Sequence, residues 1–172
     1  MTDTAAPPTS RPAAFGDLEQ ELATTRRVLE RVPDEHWDWA PHEKSMTLGR
    51  LAGHLAELTF LAKSVVEEDV FDVATHPRPA GPTSRDENLR LYDQGVAALV
   101  AAVNAAPAEA WGQTWTLQAN GQVFISMPRA AALRLMGISH PIHHRGQLTV
   151  YLRLLGVPLP SVYGPTADEP FI

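Results

Sequence analysis

Histidine carries most of the chemistry this sequence can offer. Seven are present: His36, His42, His54, His76, His140, His143 and His144. His140 and His144 stand four residues apart, so on a helix both project from one face. That spacing lets two imidazoles hold one metal ion. Helical steps onward from His144 reach Leu148, Tyr151 and Leu155, an apolar stripe, so both rings are expected to point inward. His54 shows the same anomaly, lying between Leu51 and Leu58 on a second stripe. Burying an unpaired polar group costs about 2–7 kcal/mol. Three rings from two facing helices would satisfy one another through a shared cation, imidazole being a common ligand for zinc, nickel, copper and iron. Three protein ligands leave an open coordination position, as in catalytic sites, whereas structural zinc is normally closed by four. The bland alternative is a surface pair of histidines with no ligand role. His143, about 100° around the helix from His144, could compete as a ligand but reads rather as a neighbour of the ligands or a solvated side chain.

Glu57 is one turn beyond His54 and shares its face. It is a candidate catalytic base, accepting a proton from a metal-activated water, or a fourth ligand; the alternative is an exposed glutamate on the rim of the stripe. Arg145 could grip an anionic substrate or form an interhelical ion pair. Gly146 suits close helix packing. Tyr163 could place a phenol over the metal, or pack with its hydroxyl at the surface. The four tryptophans, Trp37, Trp39, Trp111 and Trp115, read as core or interface anchors. His36, His42 and His76 fall in loops and read as solvated. Cysteine is absent, which excludes disulfides, thiolate zinc sites and Cys nucleophiles. No Gly-x-Ser-x-Gly turn, phosphate loop or dinucleotide turn occurs. A di-iron carboxylate site needs Glu-x-x-His units, and no Glu stands beside His140 or His144.

The elements that must position these residues read as helices. Residues 15–31 repeat Phe15, Leu18, Leu22, Thr25 and Leu29 at helical steps, and Pro33 stops them. Residues 33–46 form a loop. Thr47 can cap a helix over 48–68, with the stripe Leu51, Leu55, Leu58, Leu61 or Ala62, and Val65. A Pro- and Gly-rich connector follows at 72–83. Ser84 and Glu87 form a capping box, each satisfying an orphan N–H, for a helix over 85–105 that buries Leu89, Tyr92, Val96, Leu99 and Val103. Asn120-Gly121 between 114–118 and 122–126 predicts a type I′ hairpin. Pro128 opens a last helix over 129–155, closed by Gly156 and Pro158. Pro141 lacks an N–H and clashes with the carbonyl of Gly137, so a kink or break is expected at 137–141. The irregular segment after it is expected to lie back over the helices. The fold class is therefore all-α, a four-helix bundle with a short β-hairpin before the last helix.

At 172 residues the chain suits one domain, expected over 15–172, after a flexible tail at 1–14. Fourteen basic against twenty acidic side chains give a net charge of −6, which argues against nucleic acid as partner, since that affinity rests on clustered Lys and Arg. No secretory leader is apparent, and no apolar run approaches the roughly 20 residues of a membrane span. A cytoplasmic protein with no membrane partner is expected.

Three segments, 38–58 (DWAPHEKSMTLGRLAGHLAEL), 139–156 (SHPIHHRGQLTVYLRLLG) and 158–169 (PLPSVYGPTADE), resemble the DinB (damage-inducible) superfamily of bacterial metalloproteins, whose bundle also appears in thiol-dependent S-transferases. The family pattern pairs a His in the second helix with His-x-x-x-His in the last, often followed by Arg-Gly-Gln. Here those positions are His54, His140 and His144. The resemblance implies a four-helix bundle, a homodimer and a divalent transition metal: zinc or nickel, with iron or manganese as alternatives. The resemblance implies no single reaction; with the inward-facing histidines it leads to the expectation of a metal-dependent enzyme of thiol-transferase or hydrolase type on a small-molecule substrate, such as a low-molecular-weight thiol. The alternative is a non-catalytic, stress-related protein in which the metal is structural.

Overall fold

The computed structural model describes residues 12–77 and 80–170. Three helices, α1 (Leu18–Leu29), α2 (Leu48–Glu67) and α3 (Arg85–Ala105), precede a last helical run. That run comprises α4 (Arg129–Leu133), a π-helical turn (Arg134–Ser139) and α5 (His140–Leu154). Three short strands, β1 (Val70–Asp72), β2 (Thr114–Ala119) and β3 (Gln122–Pro128), form one sheet in the order β1-β2-β3. The fold is thus mostly helical with a small three-stranded sheet.

Local chemistry explains the helix ends. Thr47 Oγ1 accepts from the N–H of Arg50 and starts α2. Ser84 Oγ accepts from the N–H of Glu87 and starts α3. The other half of the expected capping box is different: the Glu87 carboxylate accepts from the backbone and hydroxyl of Thr83. The N–H of Arg85, the first residue of α3, is held by Asp34 at 2.6 Å. Gly156, at φ +73°, closes α5 in the left-handed region, with the Val157 N–H returning to the Leu152 carbonyl.

The apolar stripes meet in one core. Leu51, Leu55, Leu58, Ala62 and Val65 of α2 are buried with Leu18, Leu22, Tyr92, Leu99, Leu148 and Leu152. Between the alternatives on α2, Ala62 is buried and Leu61 only partly so. Trp111 and Trp115 are buried, while Trp37 packs partly buried at the core's edge. Trp39 meets Tyr151 edge to face.

Several segments add detail to the expected elements. Residues 1–11 of the expected tail lie outside the described residues, but Ala13–Phe15 form a 3₁₀ turn whose Phe15 packs on Trp111. The stretch after α2 contains β1, which pairs in parallel with β2 through Val70↔Thr116, Phe71↔Leu117 and Asp72↔Gln118. Three residues are too short to show an alternating pattern. β2 and β3 pair antiparallel across Asn120 (φ +50°) and Gly121 (φ +81°), with a register shift at Leu117/Gln118. Buried Arg129 ties the sheet to α2 by donating to the Val65 and Glu68 carbonyls and to Asp69.

The last run neither breaks nor ends at Pro141. The π-helical turn absorbs the misfit on its N-terminal side, since a wider turn relieves the crowding that the Pro ring imposes on the preceding carbonyl. Gly137 lies within this turn. A Cβ there would be 3.2 Å from Ala62 Cβ and 3.0 Å from Leu133 Cδ1. Its absence lets the run press against α2 one turn before His140.

Candidate metal centre

α2 and α5 bring three imidazoles together. His54 comes from the middle of α2, His140 from the first turn of α5 and His144 from one turn further along. Because Gly137 faces Ala62 and His144 faces His54, the two elements run antiparallel. Ring centroids are 4.6 Å apart for His54 and His144, 5.4 Å for His54 and His140, and 4.7 Å for His140 and His144. One nitrogen from each ring lies within 4.8 Å of the others. Among the described residues this is the grouping of His, Asp or Glu that could hold a metal ion.

Hydrogen bonds decide which nitrogens face the centre. His144 Nδ1 lies 2.7 Å from Gln147 Oε1. An amide oxygen only accepts, so Nδ1 carries the proton and Nε2 keeps its lone pair. That Nε2 is 2.8 Å from Nε2 of His140. His54 Nδ1 lies 3.1 Å from Glu57 Oε2, which also accepts from Arg50 Nη2 at 3.0 Å. The carboxylate therefore orients His54, again through Nδ1. A carboxylate or amide oxygen on the remote nitrogen of a ligand imidazole is the usual way a protein fixes a metal-binding tautomer.

Electrostatics favour neutral rings. Burial, then the like charges of His144, His54 and His143, push His140 down to about 4. Burial also lowers His144, against the opposing effect of the hydrogen bond that it donates to Gln147. Burial would raise Glu57, but the hydrogen bond from His54 and the charge and hydrogen bond of Arg50 outweigh it and hold the group below its ordinary value. Histidine must be neutral to ligate, so these shifts favour the ligating form of His140 and His144.

The remaining candidates fall elsewhere. Glu57 is exposed, and its oxygen serves His54 and Arg50. His143 is exposed, with its ring 4.9 Å from that of His144. Arg145 turns away from the histidines. It is 1% exposed and donates from Nη2 to Glu21 Oε2 at 2.7 Å, and from Nη1 to the Glu21 carbonyl and Thr25. The ion-pair alternative is the one formed. Tyr163 is not over the histidines; its hydroxyl donates to Glu21 Oε1 at 2.8 Å, and its ring lies 5.2 Å from Arg145 Cζ. The C-terminal segment does lie back over the helices, where Glu169 also takes Arg27. His76 is not simply solvated: it stacks on Phe71 at 4.1 Å. Gln147 and Arg50 are functional neighbours that motif reading of the sequence misses. Their spacings, i+3 from His144 and i−4 from His54, were the available signal.

No helix among the described residues is long and apolar enough to cross a membrane. The sequence profile of the DinB family matches residues 9–170. The uncharacterized protein YrdA of Bacillus subtilis is 29% identical over 154 residues, covering 88% of this chain and 86% of its own. A DinB-like protein from Bacillus cereus superposes with a TM-score of 0.67 at 24% identity, covering 87% of this chain and 95% of that one. A putative DinB-family member from Exiguobacterium sibiricum gives 0.61 at 18% identity, over 88% and 98%. Both structures speak to the fold.

Proposed function

Because the chain belongs to the DinB family, we propose that it is a mononuclear metalloprotein whose His54, His140 and His144 hold one divalent transition-metal ion, zinc or nickel first. The observation that carries this reading is the convergence of three imidazole nitrogens within 4.8 Å. Two of those rings have their outer nitrogens engaged by Gln147 and Glu57. The donor set fits the group: neutral imidazole suits zinc, nickel, copper and iron.

Bound there, such an ion supplies Lewis acidity at coordination positions that three protein ligands leave open. The chain's own residues do the rest. Gln147 and Glu57 hold protons on Nδ1 of His144 and His54, so both rings present a fixed donor. The helical core under Leu51, Leu55 and Leu148 keeps water from the inner side. The outer side stays accessible, His54 being 23% exposed. This arrangement supports a metal-dependent transferase or hydrolase more than a closed structural site. A low-molecular-weight thiol as co-substrate and assembly as a homodimer belong to the same reading.

Elemental analysis of protein purified without added metal salts is the first test, with about one zinc or nickel per chain expected and loss in His144→Ala. Thiols paired with electrophiles are then screened against both proteins. Metal-free wild type that also refuses zinc, nickel, iron and manganese would end the proposal. Stoichiometric metal without turnover beyond His144→Ala would leave the ion a structural role.

A further inference from the structure

A groove of about 410 Å³ runs along the N-terminal half of α2, within the range of about 300–1,000 Å³ common for small-molecule sites. Its floor is glycine. Gly49 and Gly53 are buried one turn apart. A Cβ on Gly49 would lie 2.2 Å from the Trp37 indole, and one on Gly53 3.1 Å from Pro82. The missing side chains let Trp37 and Pro82 close onto the helix as two walls. Arg50 and Glu57 line the same groove, and Glu57 is the partner of His54, so the groove reaches the residue that orients one of the candidate ligands.

Arg50 has capacity to spare. It gives Glu57 one hydrogen bond, from Nη2. Its Nε and Nη1 have no partner among the described residues, and the side chain is 49% exposed.

We propose that this groove binds a small monocarboxylate with an apolar or aromatic body, and that Arg50 reads the carboxylate. The inference rests on the metal-centre reading for where the reacting end of the ligand lies. Glu57 takes one N–H of Arg50 Nη2, which leaves the guanidinium one edge with two parallel N–H groups, the shape that a carboxylate matches in plane. The Trp37 indole and the Pro82 ring supply flat walls for the body. Asp38 and Glu57 also line the groove, and their charges repel a phosphate dianion more than a monoanion. That choice of walls and charges selects a carboxylate over a phosphate.

Phenylacetate is the probe and phenylacetamide its neutral counterpart. Each is titrated by calorimetry into full-length protein of measured metal content. Saturable phenylacetate binding is expected, weakened about tenfold or more in Arg50→Gln, as for loss of a charged hydrogen bond, and partly kept in Arg50→Lys. Phenylacetamide should bind wild type as weakly as phenylacetate binds Arg50→Gln, a comparison that needs no variant to fold. Trp37→Leu should weaken both probes. Equal phenylacetate affinity in wild type and a folded Arg50→Gln would overturn the proposal, as would displacement by an equal concentration of inorganic phosphate. Metal content separates the two readings. Stoichiometric metal without Arg50-dependent binding removes the groove assignment and leaves the centre. Arg50-dependent binding to a protein that refuses metal removes the centre and leaves the groove.

Discussion

Nδ1 of His144 lies 2.7 Å from Oε1 of Gln147. This contact, three residues along one helix, makes Nε2 of His144 the free donor. Removing it should loosen the ring without touching the core, because Gln147 is exposed. Gln147→Leu is expected to reduce zinc affinity by about 10–100-fold, measured by competition with a chromophoric chelator. Affinity equal to wild type would mean that the hydrogen bond does not orient the ligand.

Glu57 serves His54 in the same way, with Arg50 behind it. Gln at this position keeps a carbonyl acceptor and Ala does not. Glu57→Ala should therefore lose about tenfold or more in zinc affinity and Glu57→Gln less, in the same chelator assay. The reverse order would point away from an orienting role.

An ion that bridges α2 and α5 stabilises only the folded state. At free metal about 1,000-fold above Kd the gain is about 4 kcal/mol, or roughly 10 °C in Tm for a chain of this size. Calorimetric scans before and after chelation should show that drop, and His144→Ala should show none. Identical scans for loaded and stripped wild type would count against a bridging ion.

The metal-free protein should lose stability as pH falls. His140 titrates near 4 when folded against 6.5 when unfolded, and His144 shifts the same way. The unfolded chain therefore binds more protons between those values. Stability is fully present above about 6.5, falls through the window and levels off below about 4. Asp17 and Glu57, whose values are lowered from 3.8 and 4.5, add their own loss only at the acid end. Urea unfolding with chelator at pH 7.5 and 5 checks this; a flat profile would contradict it.

Arg145 and Glu21 form a buried pair, with side chains 2% and 10% exposed. Breaking one partner strands the other charge. Arg145→Ala should cost about 3–5 kcal/mol, while the double substitution Arg145→Met with Glu21→Leu should recover most of it. Denaturant midpoints distinguish the two. A small loss for the single variant would show that Glu21 finds another partner.

Local pattern alone determined much of this protein. Helical spacing put His140 and His144 on one face and His54 among the leucines of α2. Thr47, Ser84, Asn120-Gly121 and Gly156 marked caps and a turn by their own backbone preferences. All are short-range effects, acting within about one helical turn or one tight turn. Tertiary structure decided what lies across elements. The π-helical turn before Pro141 and the approach of Gly137 to Ala62 set the spacing between the two histidine-bearing helices. The partner of Arg145 is 124 residues away in sequence, and β1 exists through its pairing with β2. No periodicity encodes these, because distances between elements follow from how whole side-chain surfaces fit together in the core.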